Sequence, residues 1–291
     1  MKFSTAFALS ALVSCSQVAA HGTITLVKGA NGVNMPGLSV VDGTPRGCAS
    51  AACGAQKDTA IIRNSEMGGK ASALGRTAYG PVDPSKVMDA YMGRSKRHAR
   101  DLLGARQLIN EAASAFTGPI GAVLNGVQDL VQPTPLKPLM DSITNAGNGL
   151  GGAMPGMATG AVVGADIKEG GVNQYYGKGK SAGLPTASSD GTVTMIYHQV
   201  NQDGAGPLLA EIDPSSGGQD PGAFQKAQIL TNIPGVAGLS TSSNSDFEIK
   251  VKMPEGMKCT GTVGSAKNVC IARVRNAALS GPFGGSAAFT Q

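Results

Sequence analysis

His21 is the residue from which most chemistry could follow, because of what precedes it. Lys2, the apolar run 6–13 and Val18-Ala19-Ala20 have the charged start, short core and small-residue cleavage site of a secretory signal peptide, too short to span a bilayer. Cleavage after Ala20 makes His21 the first residue of the mature chain, with a free α-amino nitrogen beside its own imidazole. Those two nitrogens chelate, and one further imidazole completes a three-nitrogen site suited to copper. In the uncleaved precursor the same nitrogen is an amide and cannot serve. Only three histidines exist, His21, His98 and His198, which narrows the choice of partner. His198 stands at the end of a strand pattern and the start of a Gly-rich turn, and is the candidate second ligand. Strand alternation turns it away from Tyr197 and Gln199. His98 follows Arg94-Ser95-Lys96-Arg97, a run of the kind that subtilisin-like processing proteases cut, and cutting there would expose another N-terminal histidine. A solvated basic loop is the competing reading of that run.

Other chemistries find less support. No Gly-x-Ser-x-Gly is present, and Asp203, Glu211, Asp213 and Asp220 lie near one another without the marks of a glycosidase acid/base pair. The stretch 213–220 reads as a polar turn, since it lacks the spacing of a calcium loop. Loss of Cys15 with the signal leaves Cys48, Cys53, Cys259 and Cys270, an even set in an oxidising compartment, so two disulfides are expected. Three pairings are open, and the short loops favour Cys48–Cys53 with Cys259–Cys270; zinc is the weaker reading, for neither spacing is Cys-x-x-Cys. After Lys2 is lost, 23 basic residues oppose 19 acidic ones, a formal charge of +4. The charges are scattered apart from the Arg94–Arg100 cluster, which excludes a nucleic-acid footprint. No second segment is long and apolar enough to span a membrane, so no stable insertion is expected after signal cleavage. The chain has 42 glycines and no tryptophan, which suits a loop-rich secreted β domain and disfavours a sugar groove built on stacked tryptophans.

The elements that must position these residues read as two β regions around a different middle. Residues 192–200 alternate with period two, as do 247–253, whose Phe, Ile, Val and Met share a face. Shorter strands are expected at 23–27, 38–41, 208–212, 228–230 and 269–274, a spacing that suggests a sandwich. From about Met92 the apolar period changes to helical, with two amphipathic segments broken at Gly118-Pro119 and a Gly/Ala/Met-rich stretch at 147–164. The expectation is a signal peptide at 1–20, a mainly β, immunoglobulin/fibronectin-III-like sandwich assembled from 21–91 and 165–291, and a helical, low-complexity insertion at 92–164. That insertion either covers part of the sandwich or faces a membrane or partner.

Several blocks in order carry a resemblance: His21-Gly22, Asn31-Gly32-Val33-Asn34-Met35-Pro36-Gly37-Leu38, Asp42-Gly43-Thr44-Pro45-Arg46, Asp58-Thr59-Ala60-Ile61-Ile62-Arg63, residues 198–207, and Arg275-Asn276-Ala277-Ala278-Leu279-Ser280-Gly281-Pro282-Phe283-Gly284-Gly285. Together they resemble the fungal Egh-type virulence factors, secreted proteins associated with the appressorium, over roughly residues 1–90 and 165–291. The resemblance implies a role in host infection. A looser similarity is to lytic polysaccharide monooxygenases, which begin with histidine and hold copper between it and another on an immunoglobulin-like sandwich. By that similarity His21 and His198 are the metal ligands, Phe283 or Tyr197 is the residue near the axial position, and Gln199 orients a bound oxygen species. The implied function is a secreted, copper-binding virulence factor acting on cell-wall polysaccharide; the alternative is a non-catalytic protein that contacts the wall or host surface.

Overall fold

The structure, a computed structural model, describes residues 22–47, 56–94 and 171–291. The expected signal peptide, His21, Cys48, Cys53, His98, Arg97 and almost all of the expected insertion lie outside the described residues. Within them the chain is mainly β, and the strands pair antiparallel throughout. In chain order they are β1 (Gly22–Lys28), β2 (Asn34–Pro36), β3 (Ala60–Ile61), β4 (Arg76–Thr77), β5 (Gly80–Pro81), β6 (Thr192–Gln199), β7 (Leu209–Asp213), β8 (Gln225–Thr231), β9 (Ser245–Lys252), β10 (Gly261–Val263), β11 (Ala266–Arg275) and β12 (Phe283–Phe289). They follow one hydrogen-bonded path, β2-β1-β6-β9-β8-β7-β11-β12-β3-β4-β5, with β10 paired to β11. The path curls on itself into a half-barrel, for β1 and β12 are well separated along it yet pack together.

Period-two patterning explains the two longest expected strands. Val193, Met195 and Tyr197 of β6 and Ile249 and Val251 of β9 point into the core, while Thr192, Thr194, Glu248 and Lys250 lie on the other face. Burial of such side chains supplies about 1.5–3 kcal/mol each and sets the register. β12 was not expected, since Phe-Gly-Gly-Ser-Ala-Ala-Phe lacks β-branched residues, yet all of it is buried. Its small residues permit close approach: a Cβ on Gly284 would stand 1.9 Å from the Val274 carbonyl oxygen, and one on Gly285 2.5 Å from the Ile24 nitrogen. The expected strand at 38–41 is a buried turn instead. Its backbone bonds diverge, Leu38 N–H to Ser286 O at 2.9 Å and Val40 N–H to Gly37 O at 3.2 Å, so no ladder forms.

Among the described residues three short α-helices pack together beside the sheet. Helix α1 (Pro84–Tyr91) opens with Pro84 behind the Asp83 cap, which accepts from Ser85 N–H at 2.9 Å, and buries Val87, Met88 and Tyr91. Burial pushes the Tyr91 phenol up to about 12, and its hydroxyl donates to Gly183 O at 3.0 Å. Asp42 holds the N-terminus of α2 (Gly171–Gln174) through Val172 and Asn173 N–H, and α3 is Lys178–Ala182. Cys259 and Cys270 form a disulfide with Cα atoms 4.9 Å apart, tying the approach to β10 to β11. No helix among the described residues is long and apolar enough to cross a membrane.

Candidate functional site

β6 delivers His198 and Gln199 to one end of the sheet. On one side β1 sets Gly22 opposite Gln199 and Thr23 opposite His198; on the other, β9 sets Asp246 opposite His198. His198 lies on the face away from Tyr197, yet only 1% of it is exposed. Its Nδ1 is 2.7 Å from Asp246 Oδ1, and its Nε2 is 3.3 Å from Gln56 Nε2. The Gln56 amide is oriented by Arg46, whose Nη1 donates to Oε1 at 3.1 Å and whose carbonyl accepts from Nε2 at 3.2 Å. An amide nitrogen only donates, so the network assigns the lone pair of His198 to Nε2 and its proton to Nδ1, donated to Asp246.

Behind Gln56 lies a buried ion pair. Arg46 Nη1 and Nη2 donate to Asp58 Oδ1 and Oδ2 at 2.9 and 2.6 Å, and Val41 N–H adds a bond to Oδ2 at 3.0 Å. Gln56 itself has φ 28°, in the left-handed region that a non-glycine enters only when its surroundings fix it there. Residues 200 positions apart thus form one chain, Asp58–Arg46–Gln56–His198–Asp246. An imidazole with its outer nitrogen tied to a carboxylate and the other lone pair directed inward has the tautomer of a metal-ligating histidine. Among the described residues no group of three or more His, Cys, Asp or Glu side chains gathers to hold a metal.

The other sequence candidates have different surroundings. Gln199 faces the interior, and its Nε2 donates to Asn201 O, Ser240 Oγ and Ser242 O at 3.0, 2.9 and 2.8 Å, while its Oε1 is buried without a partner. Tyr197 is fully buried and donates to Gly204 O at 2.8 Å; desolvation raises its phenol well above the usual range. Phe283 opens β12 in a small apolar cluster with Ala278 and Ile61. The structure brings His198 together with Asp246, Gln56, Arg46 and Asp58, none of which the sequence marked as a site residue. Arg46 and Asp58 do fall inside motif blocks, but they stand 12 positions apart and no periodicity reveals their pairing. The acidic residues have structural partners: Glu211 accepts from Arg273 at 2.7 Å, Asp220 caps Gly222 N–H at 2.8 Å, and Asp213 holds its own turn.

Gly22 is the described residue nearest the expected N-terminus, and its lack of a side chain is required. A Cβ there would stand 1.8 Å from the Tyr197 hydroxyl, which is itself pinned to Gly204. Gly22→Ala must therefore displace β1 or break that bond, and is expected to cost about 2–3 kcal/mol in urea unfolding. A loss below about 0.5 kcal/mol, the range of neutral surface changes, would mean that the strand end moves freely.

A family profile described as Egh16-like virulence factor matches residues 19–284. The chain is 46% identical over 295 residues to the appressoria-specific virulence factor GAS2 of Pyricularia oryzae, which covers 100% of this chain and 90% of that protein. It is 41% identical over 104 residues to the appressoria-specific virulence factor GAS1 of the same fungus, 35% of this chain and 40% of that one. No solved structure matches it. With the profile spanning most of the sequence and a relative matched along all of it, the chain belongs to the Egh16-like virulence factor family.

Proposed function

We propose that this chain is a secreted infection-stage protein that, once cleaved after Ala20, binds one copper ion through the His21 amine, the His21 imidazole and His198, and acts on cell-wall polysaccharide. The observation that carries the reading is the state of His198: Nδ1–H held by Asp246 at 2.7 Å, with the Nε2 lone pair turned to Gln56. The peptide bond fixes residue 21 at about 3.8 Å, Cα to Cα, from Gly22, whose strand partner is Gln199. A chelating N-terminus thus starts two residues before Thr23, the strand partner of His198. In this reading Asp246 orients the imidazole, Gln56 gives way to the ion, and the curled halves of the sheet are the layers of an immunoglobulin-like sandwich. Bound copper would supply one-electron chemistry toward an oxygen species.

Calorimetry on the processed chain tests it. His198→Ala, or one extra residue before His21, abolishes tight copper binding, and Asp246→Asn weakens it about 10–100-fold. Binding falls as pH drops, because the amine and imidazole, with ordinary pKa values of about 7.7 and 6.5, must be unprotonated to ligate. Unchanged affinity in the first two variants overturns the site. A second reading, a non-catalytic protein that contacts the wall, is favoured by one observation: His198 is buried with both ring nitrogens already partnered. Oxidised oligosaccharides released by copper-loaded protein and a reductant support the first reading; retention on wall material without products supports the second.

A further inference from the structure

We infer that the loops at the His198 end of the sheet form an apolar tip that adsorbs reversibly to the surface of a zwitterionic lipid bilayer. Three aliphatic side chains there are turned to water: Leu279 is 103% exposed, Val236 79% and Leu239 57%. Val236 and Leu239 face each other across a two-residue turn, N–H to O at 2.9 Å in both directions, with Ala237 and Gly238 at φ 52° and 85°. That geometry sets both side chains on the same side of the hairpin. Gly238 lies against Ala278, the neighbour of Leu279, so closely that a Cβ would stand 2.8 Å from the Ala278 nitrogen. The two tips are therefore adjacent.

They are also built to stay where they are. Ala205 N–H donates to Gly238 O, Gly238 N–H to Gly206 O and Ser240 N–H to Gln202 O, at 3.2, 3.0 and 2.8 Å. Asn276 Nδ2 ties the 276–282 loop to Asp203 O and Ala205 O, and Ser240 Oγ accepts from Gln199, the neighbour of His198. These bonds fix the two loops, and with them the three aliphatic side chains, in place.

Charge and size choose the occupant. Residues 232–244 and 276–282 contain no charged side chain of their own and include Ser240, Thr241, Ser242, Ser243 and Ser280. The charged groups that touch these loops are of both signs: Arg63, which donates to Ser280 O and Gly281 O and pairs with Glu66, and Asp203, beside the Ser280 hydroxyl. An aliphatic point bordered by hydroxyls and by charges of both signs matches hydrocarbon under headgroups that carry both charges and no net one, and gives an acidic polymer no excess of positive charge. A second copy is a poor fit, for three side chains cover a few hundred Å² at most, against roughly 1,200 Å² or more in a stable protein contact. Together they carry fewer aliphatic carbons than one myristoyl chain, whose membrane association is reversible and of order 10⁴ M⁻¹. The expected binding is of that order or weaker.

Flotation of the processed chain with phosphatidylcholine vesicles tests this, alongside the triple variant Val236→Ser, Leu239→Ser, Leu279→Ser. All three side chains are exposed, so the variant keeps its melting temperature. The expected result is a vesicle-bound fraction that falls about tenfold in the variant and that added salt leaves unchanged. No flotation of the unaltered chain, or equal flotation of the variant, overturns the inference. So does flotation that requires phosphatidylserine and is lost in salt, which would point to a cationic face. A shift from dimer to monomer in the variant on sedimentation would assign the tip to a second copy and overturn it too. None of these outcomes depends on copper.

Discussion

Asp58→Ala is expected to lower the free energy of unfolding by about 3–5 kcal/mol, a large part of the about 5–15 kcal/mol that holds a typical domain together. The carboxylate is fully buried and accepts both Arg46 nitrogens and Val41 N–H. Removing it takes the carboxylate that accepts two of its bonds away from a guanidinium with 5% of its side chain exposed. The measurement is a denaturant midpoint at unchanged m-value. The double variant Arg46→Met, Asp58→Leu should recover at least half of the loss, because a buried pair barely outweighs the desolvation of its own charges. A single-variant loss under about 1 kcal/mol, the worth of an exposed pair, would mean that water reaches Arg46.

That pair also shows where reading the sequence stops. Alternation in 192–200 and 247–253 made β6 and β9 legible, because one sheet face is wet and the other dry. β12 was hidden, since its fitness for a buried central strand lies in having almost no side chains where Val274 and Ile24 approach. At the site, scarcity of histidine singled out His198, and alternation alone already turned Tyr197 and Gln199 to the opposite face, as observed. What no local pattern carried was the polar chain over His198. Gln56 lies 142 residues from it and Asp246 lies 48; strand pairing brings in Asp246, and only the tertiary fold brings in Gln56. Similarity to the lytic polysaccharide monooxygenases made Gln199 and Phe283 candidates; in the sheet Gln199 anchors the 240–242 loop.

Asp213→Ala is expected to cost about 3–5 kcal/mol as well, for a different reason. Asp213 ends β7 fully buried, and its Oδ1 accepts from the N–H groups of Ser215 and Ser216, both at 2.8 Å. Its Oδ2 accepts from Gly218 N–H at 2.6 Å and from the Ser216 hydroxyl. Each such bond to a charged acceptor contributes about 1.5–3 kcal/mol, less when several are lost together. The chain can turn this tightly because Gly217 and Gly218 take φ of 68° and 83°. Pro214 O at its start then accepts from Thr260 and Gly261 N–H, at 2.7 and 3.0 Å. The carboxylate therefore also secures the approach to β10, beside the Cys259–Cys270 bridge. Asp213→Asn should recover little, for an amide must aim its NH₂ at one of these donors. Ser216→Ala removes the hydroxyl's bond to Asp213 and the two it accepts from Gln219 and Asp220 N–H, at 3.1 and 2.9 Å, and should cost about 1–3 kcal/mol. Urea unfolding separates this from catalysis: a working acid would lose activity and keep its stability, whereas an Asp213 that shapes the turn loses stability first.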